Sequence, residues 1–565
     1  DGKYLSFLSS RFNAKENQLW LMDRRGGEAK KLTEFKAGIE DYAWSPDGKR
    51  LLLTITDAEP EDTSKSKTTK PYVIDRYQYK QDVEGYRYKK LYTHLYLMDV
   101  ATKKVDTLTK GPYNEGNASF SPDGTQIVFV SNRTPDPDKN ENSDIFIIDS
   151  KAGASFKQLT HWKGADRSPR WSPDGKWIAY TQSTSDEDFI MYDQPILAII
   201  SKEGGEPRLL SKQLDRPVLN PRWSEDGKNI LAIEEDDRQQ FVGNFSVANG
   251  QMTRVADGLR EFDDLEKGKG NNWVALMAEP QLPEEIYALE NGKTRRLTTH
   301  QDDFLKTLYL ATVEGFESVS KDGTKVSGIL FLPPNVEKKD HLPLILFIHG
   351  GPVSQSSYGF DITRQMLASA GYAVAAVNYR GSSGRGLDFC KSIFADWGNK
   401  EVIDLHGAVD YLIEKGIASP DKLGVGGWSY GGILTDYLIA SDTRFKAACS
   451  GAGTGFTLSL YGVDQYIVQY NNEIGPPWKS IDKYLKISYP LLQADKIKTP
   501  TLFMSGEKDF NVPSAGSEQM YQALRSTGIE TQLIIYPGQF HGISVPSYQK
   551  DRLERFIAWY GKYLK

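Results

Sequence analysis

Cysteine is scarce in this sequence of 565 residues, in which Cys390 and Cys449 are the only two. Two cysteines cannot form a disulfide framework, and their separation excludes the C-x-x-C pattern of zinc and redox sites. Both are predicted to be small apolar side chains of a buried core. The length exceeds what one hydrophobic core supports, so at least two domains are expected.

Long apolar runs and an excess of positive charge are also missing. No run approaches the roughly 18 apolar residues of a membrane span. The net charge of −6 gives no general attraction for nucleic acid. None of the seven histidines lies in an H-E-x-x-H motif. We therefore expect no membrane partner, no nucleic-acid partner, no metal and no other cofactor.

The first half of the sequence contains a repeated motif. W-S-P-D-G-K begins at Trp44, and near-copies begin at Phe120, Trp171 and Trp223. In each copy Pro and Asp-Gly favour a tight turn, and the alternating apolar residues that follow predict a strand. A degenerate copy contains Trp273. Repeats of this kind indicate a β-propeller, which we assign to residues 1–314.

The sequence opens on D-G-K-Y-L-S-F-L, which matches the tail of a further copy. The N-terminal part of the propeller is therefore interpreted as truncated, and about seven blades are expected. Removal of a leader segment is consistent with this truncation. The bacterial periplasm, secretion and the cytoplasm all stay open as locations.

The interval between the copies at Trp44 and Phe120 is the longest, and it contains six tyrosines within residues 72–92. Two interpretations of this insertion stay open. It is either a long hairpin at the edge of a blade or a flap over a substrate cavity.

The rhythm changes in residues 315–565. P-L-I-L-F-I-H, Y-A-V-A-A-V-N-Y and P-T-L-F-M-S are continuous apolar strands, and helical stretches separate them. This pattern predicts a mostly parallel, doubly wound sheet with helices on both faces, as in an α/β-hydrolase domain. Ligands of such sheets bind at the carboxyl ends of the strands.

Three candidate catalytic residues follow such strands. Ser429 lies in G-W-S-Y-G-G, the G-x-S-x-G pattern of a nucleophile on a sharp strand-to-helix turn, and Asp509 and His541 follow later strands. Alone, Asp509 could cap a helix and His541 could be structural. Their order after Ser429 favours a Ser-His-Asp triad, in which His541 is the base and Asp509 orients it.

The oxyanion of such a reaction needs hydrogen-bond donors. We predict the backbone N–H groups of Gly351, in H-G-G-P, and of Tyr430 as the pair. Simple turn roles for Gly350 and Gly351 remain an alternative. His349 is expected to shape this loop rather than to bind a metal.

The S-P-D-G-K repeats, H-G-G-P, N-Y-R-G-S-S-G-R-G, D-W-G, G-W-S-Y-G-G and P-G-Q-F-H-G together resemble the prolyl oligopeptidase family of serine peptidases along essentially the whole chain. H-G-G-P is most similar to the acylaminoacyl peptidase and bacterial dipeptidyl peptidase branch. The resemblance implies that short peptides are hydrolysed in a cavity between propeller and hydrolase. It also implies that Asn511 binds a substrate carbonyl and that Val512 lines the pocket for the residue before the cleaved bond.

Further pocket candidates are Phe456, Tyr461 and Tyr466, although aromatic stripes are more often core. E-E-D-D at residues 234–237 could bind a free α-amine, but a solvated blade turn is the preferred interpretation. A carboxylesterase of the same fold and an inactive hydrolase on a binding propeller remain alternative functions. Association into a homo-oligomer stays open.

Overall fold

The computed structural model describes residues 2–11, 16–59, 68, 70–185, 189–290, 292–334, 336 and 340–565. Six small antiparallel sheets, which are the blades of a propeller, precede one mixed sheet of eight strands. Blade 1 contains β1 (Tyr4–Ser9), β2 (Gln18–Asp23) and β3 (Lys30–Lys31). Blade 2 contains β4 (Ile39–Trp44), β5 (Arg50–Thr56), β8 (Thr93–Asp99) and β9 (Val105–Thr107).

The other blades follow in chain order. Blade 3 contains β10 (Glu115–Phe120), β11 (Gln126–Ser131), β12 (Asp144–Asp149) and β13 (Phe156–Gln158). Blade 4 contains β14 (Asp166–Trp171), β15 (Trp177–Gln182), β16 (Ile196–Ser201) and β17 (Arg208–Leu209). Blade 5 contains β18 (Val218–Trp223), β19 (Asn229–Asp236), β20 (Gln239–Ser246) and β21 (Met252–Ala256). Blade 6 contains β22 (Glu261–Lys267), β23 (Trp273–Glu279), β24 (Leu282–Glu290) and β25 (Lys293–Arg296).

The repeated phrase forms the turn between the first two strands of a blade. In blade 2, the Ser45 hydroxyl donates to Asp47 Oδ1 at 2.7 Å and accepts the N–H of Arg50 at 2.9 Å. Gly48 has a φ of 69°, a conformation in which glycine carries no steric penalty. Serine, aspartate and glycine are therefore each needed to close the turn.

The number of blades in the described residues is six, one fewer than the predicted count of about seven. The opening copy, the four clear copies and the degenerate copy at Trp273 each account for one blade. Blade 1 has three strands, whereas each of the other blades has four.

The eight-stranded sheet carries the hydrolase part of the molecule. Its strands lie in the order β26-β27-β29-β28-β30-β31-β32-β33, and neighbours from β29 onward are parallel. The strands are β26 (Thr312–Val319), β27 (Lys325–Leu332), β28 (Leu342–Ile348), β29 (Ala373–Asn378), β30 (Ala418–Trp428), β31 (Ala447–Gly451), β32 (Thr501–Gly506) and β33 (Thr531–Tyr536).

Helices cover both faces of this sheet. The described helices are α1 (Asp302–Leu305), α2 (Ile362–Ser369), α3 (Leu387–Lys391), α4 (Lys400–Glu414), α5 (Tyr430–Ser441), α6 (Ile467–Glu473), α7 (Pro477–Ile487), α8 (Tyr489–Leu492), α9 (Ser514–Ser526) and α10 (Pro546–Leu564). Apolar residues of α4, α5 and α9 pack in one buried cluster with Cys390, and those of α2 and α10 pack in another with Cys449. Both cysteines are buried, as predicted. Within the described ranges, no helix is both long and apolar enough to cross a membrane.

The acidic segment at residues 234–237 is not a solvated turn, so that prediction is wrong. Glu234 and Glu235 lie within β19, and the Glu234 side chain is completely buried. The Glu235 carboxylate accepts a hydrogen bond from the Ser383 hydroxyl of the hydrolase at 2.7 Å. Strand β19 continues to Asp236 because β20 pairs with it up to that residue, and the half-buried Asp237 lies in the turn that follows.

The tyrosine-rich insertion forms a hairpin that reaches the hydrolase. Its short strands are β6 (Lys80–Gln81) and β7 (Gly85–Tyr86), and we call residues 72–92 the insertion hairpin. Tyr79 and Lys80 donate to the carbonyl oxygens of Gly462 and Val463 at 2.5 and 2.6 Å. It is therefore not a free hairpin at the edge of a blade, and the interpretation as a flap stays a prediction. Part of the preceding segment, residues 60–67 and 69, lies outside the described residues.

Candidate active site

Ser429 stands at the turn between β30 and α5. Its φ of 62° and ψ of −126° are unusual for a residue other than glycine. The Ser429 N–H donates to the Gly451 carbonyl at 3.0 Å, which ties the turn to the neighbouring strand β31. The strained backbone presents the hydroxyl beyond the carboxyl end of β30.

The glycines around Ser429 are required by space. A Cβ on Gly427 would lie 2.5 Å from the Ile348 carbonyl oxygen, and a Cβ on Gly431 would lie 2.2 Å from the same atom. Backbone atoms cannot move aside as a flexible side chain can. The G-x-S-x-G pattern is thus explained by the contact between this turn and the end of β28.

Asp509 and His541 lie in the loops after β32 and β33 and form a hydrogen-bonded pair. His541 Nδ1 lies 2.8 Å from Asp509 Oδ2, and the Asp509 side chain is fully buried. Burial raises the pKa of Asp509, whereas the hydrogen bond to His541 lowers it. With Nδ1 donating to Asp509, the other ring nitrogen, Nε2, is the one that can accept a proton.

Asp509 does not cap α9. Its Oδ1 accepts the N–H groups of Asn511 and Val512 at 2.9 and 2.7 Å, before that helix begins. Within the described chain, Ser429 and His541 are not hydrogen bonded to each other, and such contacts often tighten only when substrate binds. The Trp428 indole donates to the His541 carbonyl at 3.1 Å and joins the loop of His541 to the turn of Ser429.

Gly351 and Tyr430 lie beside Ser429, where oxyanion donors are expected. Both line the same small cavity as Ser429. Tyr430 is the first residue of α5, where backbone N–H groups have no partner within the helix. A Cβ on Gly350 would lie 3.2 Å from the Ser429 Cβ, so the loop passes close to the serine.

His349 holds this loop in shape. Its Nδ1 donates to the Gly350 carbonyl at 2.7 Å, and its Nε2 accepts from the Ser382 hydroxyl at 3.0 Å. Burial lowers the pKa of His349 to about 4, so the ring is neutral near pH 7. The sequence-based interpretation of His349 agrees with these contacts.

A cavity of about 40 Å³ lies next to Ser429, and we call it the Ser429 pocket. Its walls are mostly apolar and aromatic. They consist of Met191, Gly351, Pro352, Trp397, Ser429, Tyr430, Ile433, Leu460, Tyr466, Gln469, Tyr470, Asn511 and Val512.

Of the predicted pocket residues, Tyr466, Asn511 and Val512 line the Ser429 pocket, whereas Phe456 and Tyr461 do not. Phe456 precedes a 3-10 turn, and Tyr461 packs against Trp478 and Tyr484 in the adjoining helices. All three aromatic residues are half-buried, and Tyr461 and Tyr466 pack against the main buried cluster of the hydrolase.

Met191 and Trp397 are pocket residues that the sequence did not reveal. Met191 comes from the propeller loop between β15 and β16, which no motif marks. Trp397 belongs to the D-W-G motif. Its indole donates to Glu473 at 2.6 Å, and the Tyr192 hydroxyl of the propeller donates to the same carboxylate at 2.7 Å.

A larger chamber, of about 1290 Å³, lies between the propeller and the triad loops. The insertion hairpin contributes Tyr72, Tyr86 and Tyr88 to its walls, and the hydrolase contributes Phe510 and Phe540. Phe510 follows Asp509, and Phe540 precedes His541. The chamber therefore extends to both loops of the Asp-His pair.

Comparisons with known proteins agree with this architecture. Residues 358–565 match the prolyl oligopeptidase family, and residues 88–264 match the TolB β-propeller domain. Dipeptidyl aminopeptidase BIII of Pseudoxanthomonas mexicana is 31% identical over 97% of this chain and 84% of its own length. The uncharacterized peptidase YuxL of Bacillus subtilis is 29% identical over 100% of this chain and 89% of its own.

A solved structure shows the same fold. An acylaminoacyl peptidase in complex with Z-Gly-Gly-Phe-chloromethyl ketone superimposes with a TM-score of 0.86 at 23% identity, covering 100% of this chain and 87% of that one. The matched sequences, the serine turn and the propeller lead to one conclusion: the chain belongs to the prolyl oligopeptidase family and is a serine peptidase.

Proposed function

We propose that this peptidase hydrolyses short peptides through an acyl-enzyme formed on Ser429. The observation that carries the proposal is the Asp509–His541 pair at 2.8 Å, held on loops next to the strained Ser429 turn. His541 Nε2 takes the hydroxyl proton as Ser429 Oγ attacks the scissile carbonyl, and it then gives that proton to the leaving amine. Water, deprotonated by His541, releases the acyl group and restores Ser429.

The negative oxygen that forms during attack needs two donors. We assign this role to the N–H groups of Gly351 and Tyr430, both of which border the Ser429 pocket. Asp509 keeps His541 in the required tautomer and stabilises its charged form. Removal of Asp509 should therefore impair the reaction without changing the position of Ser429.

Substrate binding is assigned to the Ser429 pocket and the chamber. The Asn511 Oδ1 accepts from the Tyr466 hydroxyl at 2.8 Å, which directs the amide nitrogen of Asn511 to donate to a substrate carbonyl. Val512 forms the wall for the residue before the cleaved bond. Similar proteins include a dipeptidyl-peptidase 5 and an acylamino-acid-releasing enzyme, and we propose cleavage near peptide N-termini of one of these two kinds. Family membership does not favour the carboxylesterase alternative.

We propose residues 1–314 and 315–565 as the two domains. We also propose that the partners are short peptide substrates and that the reaction involves no nucleic acid, membrane or cofactor. The eight-stranded sheet starts at Thr312, three residues before the predicted boundary. Digestion of a mixed peptide library, with free and acetylated N-termini, followed by mass spectrometry, distinguishes dipeptidyl from acylaminoacyl cleavage.

The triad is tested with Ser429→Ala and Asp509→Asn. Ser429→Ala should abolish peptide hydrolysis and labelling by a fluorophosphonate, and Asp509→Asn should lower kcat by about 10⁴. Asp464→Asn is the control, because Asp464 is a buried carboxylic acid with a pKa raised to about 7 by burial and bonded to the Tyr470 hydroxyl. Labelling of Ser429→Ala, or a severe loss with Asp464→Asn and a mild one with Asp509→Asn, would contradict the assignment.

A further inference from the structure

Asp82, in the insertion hairpin, contacts both loops that carry the Asp-His pair. Its carboxylate accepts the backbone N–H of Phe510 at 3.0 Å and the backbone N–H of His541 at 3.2 Å. Phe510 directly follows Asp509. One side chain of the propeller thus connects the loop of Asp509 with the loop of His541.

Neither of these two N–H groups has a backbone partner in the described part of the chain. An N–H group that is shielded from water without a partner costs free energy, so each loop gains when Asp82 accepts its hydrogen bond. A carboxylate accepting from N–H is also a stronger partner than a neutral oxygen. Loss of Asp82 leaves both loops with a donor to satisfy in another way.

The hairpin itself is held firmly enough to present Asp82. The Asp82 N–H donates to Gln465 Oε1 at 2.8 Å, and the Gln465 N–H donates to the Phe510 carbonyl at 3.0 Å. The rings of Tyr86 and Phe510 pack edge to face with centroids 5.5 Å apart. These contacts keep the hairpin and the loop of Asp509 in one position relative to each other.

We propose that Asp82 is a positioning residue for the triad, so that the reactive arrangement of Asp509 and His541 depends on docking of the propeller hairpin. This inference rests on the proposed function. Asp82 touches neither substrate nor Ser429 in this assignment, and it acts through the two loops alone. It differs from a flap, which would act on substrate access and binding.

The test compares Asp82→Ala with wild type by labelling with a small fluorophosphonate, which needs the triad but few contacts to the chamber. We expect the second-order labelling rate and kcat for a short peptide to fall about 10- to 100-fold, the size of effect that small misplacements of reacting groups produce. KM should change little. Asp82→Asn, which keeps one oxygen acceptor, should restore part of the rate.

The control is Asp75→Ala on the same hairpin, because among the described residues Asp75 forms an ion pair only with Lys90, at 2.8 Å, and both side chains are exposed. It should label like wild type. Equal labelling of Asp82→Ala, Asp82→Asn and wild type overturns the inference, as does a rise in KM with kcat unchanged. Absence of labelling in wild type itself would instead contradict the proposed function. Thermal unfolding and circular dichroism show whether each variant is folded, and Asp82→Asn remains decisive if the alanine variant is not.

Discussion

Met191 is a single propeller side chain in the wall of the Ser429 pocket. The pocket measures about 40 Å³, enough for about three water-sized volumes and suited to a small side chain. Since Met191 is anchored beside Tyr192, which bonds to Glu473, the propeller takes part in setting the size of the pocket. We therefore expect the side-chain preference before the cleaved bond to depend on both parts of the chain.

We predict that Met191→Ala shifts the preference toward larger apolar residues before the cleaved bond. The added space should raise kcat/KM for leucine or phenylalanine relative to alanine by about 10-fold or more, because single methylene groups in such pockets are worth about 10- to 200-fold. A matched series of chromogenic dipeptides measures the ratio. Met366→Ala, a half-buried methionine of α2 outside the pocket, is the control. An unchanged ratio would show that Met191 does not limit the pocket.

Ser429, Asp509 and His541 could be predicted because each stands in a local pattern after an apolar strand. The G-x-S-x-G turn needs its glycines for contacts with Ile348, so its chemistry is visible in the sequence. Met191 lies in a loop that no motif marks, and Asp82 lies in the tyrosine-rich insertion, whose composition does not indicate its contacts. Their positions follow from how the propeller packs on the hydrolase, and no local pattern encodes that packing. Phe456 and Tyr461 lie outside the wall of the Ser429 pocket, and the sequence could not separate them from Tyr466 because an aromatic side chain fits a core and a pocket equally well.

At the scale of elements, β19 carries a buried acid inside a blade. Both carboxylate oxygens of Glu234 are buried without a hydrogen-bond partner among the described residues. Burial raises the pKa of Glu234 from 4.5 to about 8, so the folded protein keeps a proton that the unfolded chain loses above pH 4.5. The stabilisation from this neutral acid is complete below pH 4.5 and is lost as pH rises to about 8.

We therefore predict that Glu234→Gln reduces the fall in stability of the protein between pH 5 and pH 8. Glutamine has a similar shape and no charge to bury. The Tm of the variant should therefore fall by a few degrees less than that of wild type over this range. Differential scanning calorimetry at several pH values makes the comparison. Burial also raises the pKa of Asp166 to about 7, and its contribution to the pH dependence of stability is the same in wild type and in Glu234→Gln. Parallel curves of Tm against pH would mean that Glu234 is ionised in the folded state.

The repeats predicted the blades well, because the Ser-x-Asp-Gly turn is a local structure with its own hydrogen bonds. The prediction for the segment E-E-D-D was wrong because acidic residues usually lie in solvent, and only the neighbouring strands explain the burial of this segment. The insertion hairpin was visible as a long interval rich in tyrosine. The surface that the hairpin contacts could not be predicted, because the hydrogen bonds to Gly462 and Val463 join residues that are far apart in sequence.

At the scale of the whole molecule, propeller and hydrolase together line the chamber of about 1290 Å³ next to the triad loops. That volume exceeds the roughly 300–1,000 Å³ of pockets for drug-sized ligands, and it suits a peptide of several residues. A folded protein cannot enter a space of this size. Access should therefore restrict the substrates more strongly than the chemistry of the triad does.

We predict that kcat/KM falls sharply with substrate length and that folded proteins survive. A ladder of peptides that share one cleavable N-terminal sequence measures the dependence, and a folded protein carrying the same N-terminal sequence is the control. Length independence, or cleavage of the folded protein at the rate of the short peptide, would show that the chamber does not limit access.

Asp82 and His541 are 459 positions apart, and this distance has a consequence for biosynthesis. A chain is made from its N-terminus, and domains tend to fold as they emerge. The propeller and its hairpin are therefore synthesised long before the ribosome reaches the loop of His541, which the hairpin contacts. A nascent or prematurely released chain has the Asp82 carboxylate but no His541 to position, so the proposed triad is complete only after both distant segments have been made.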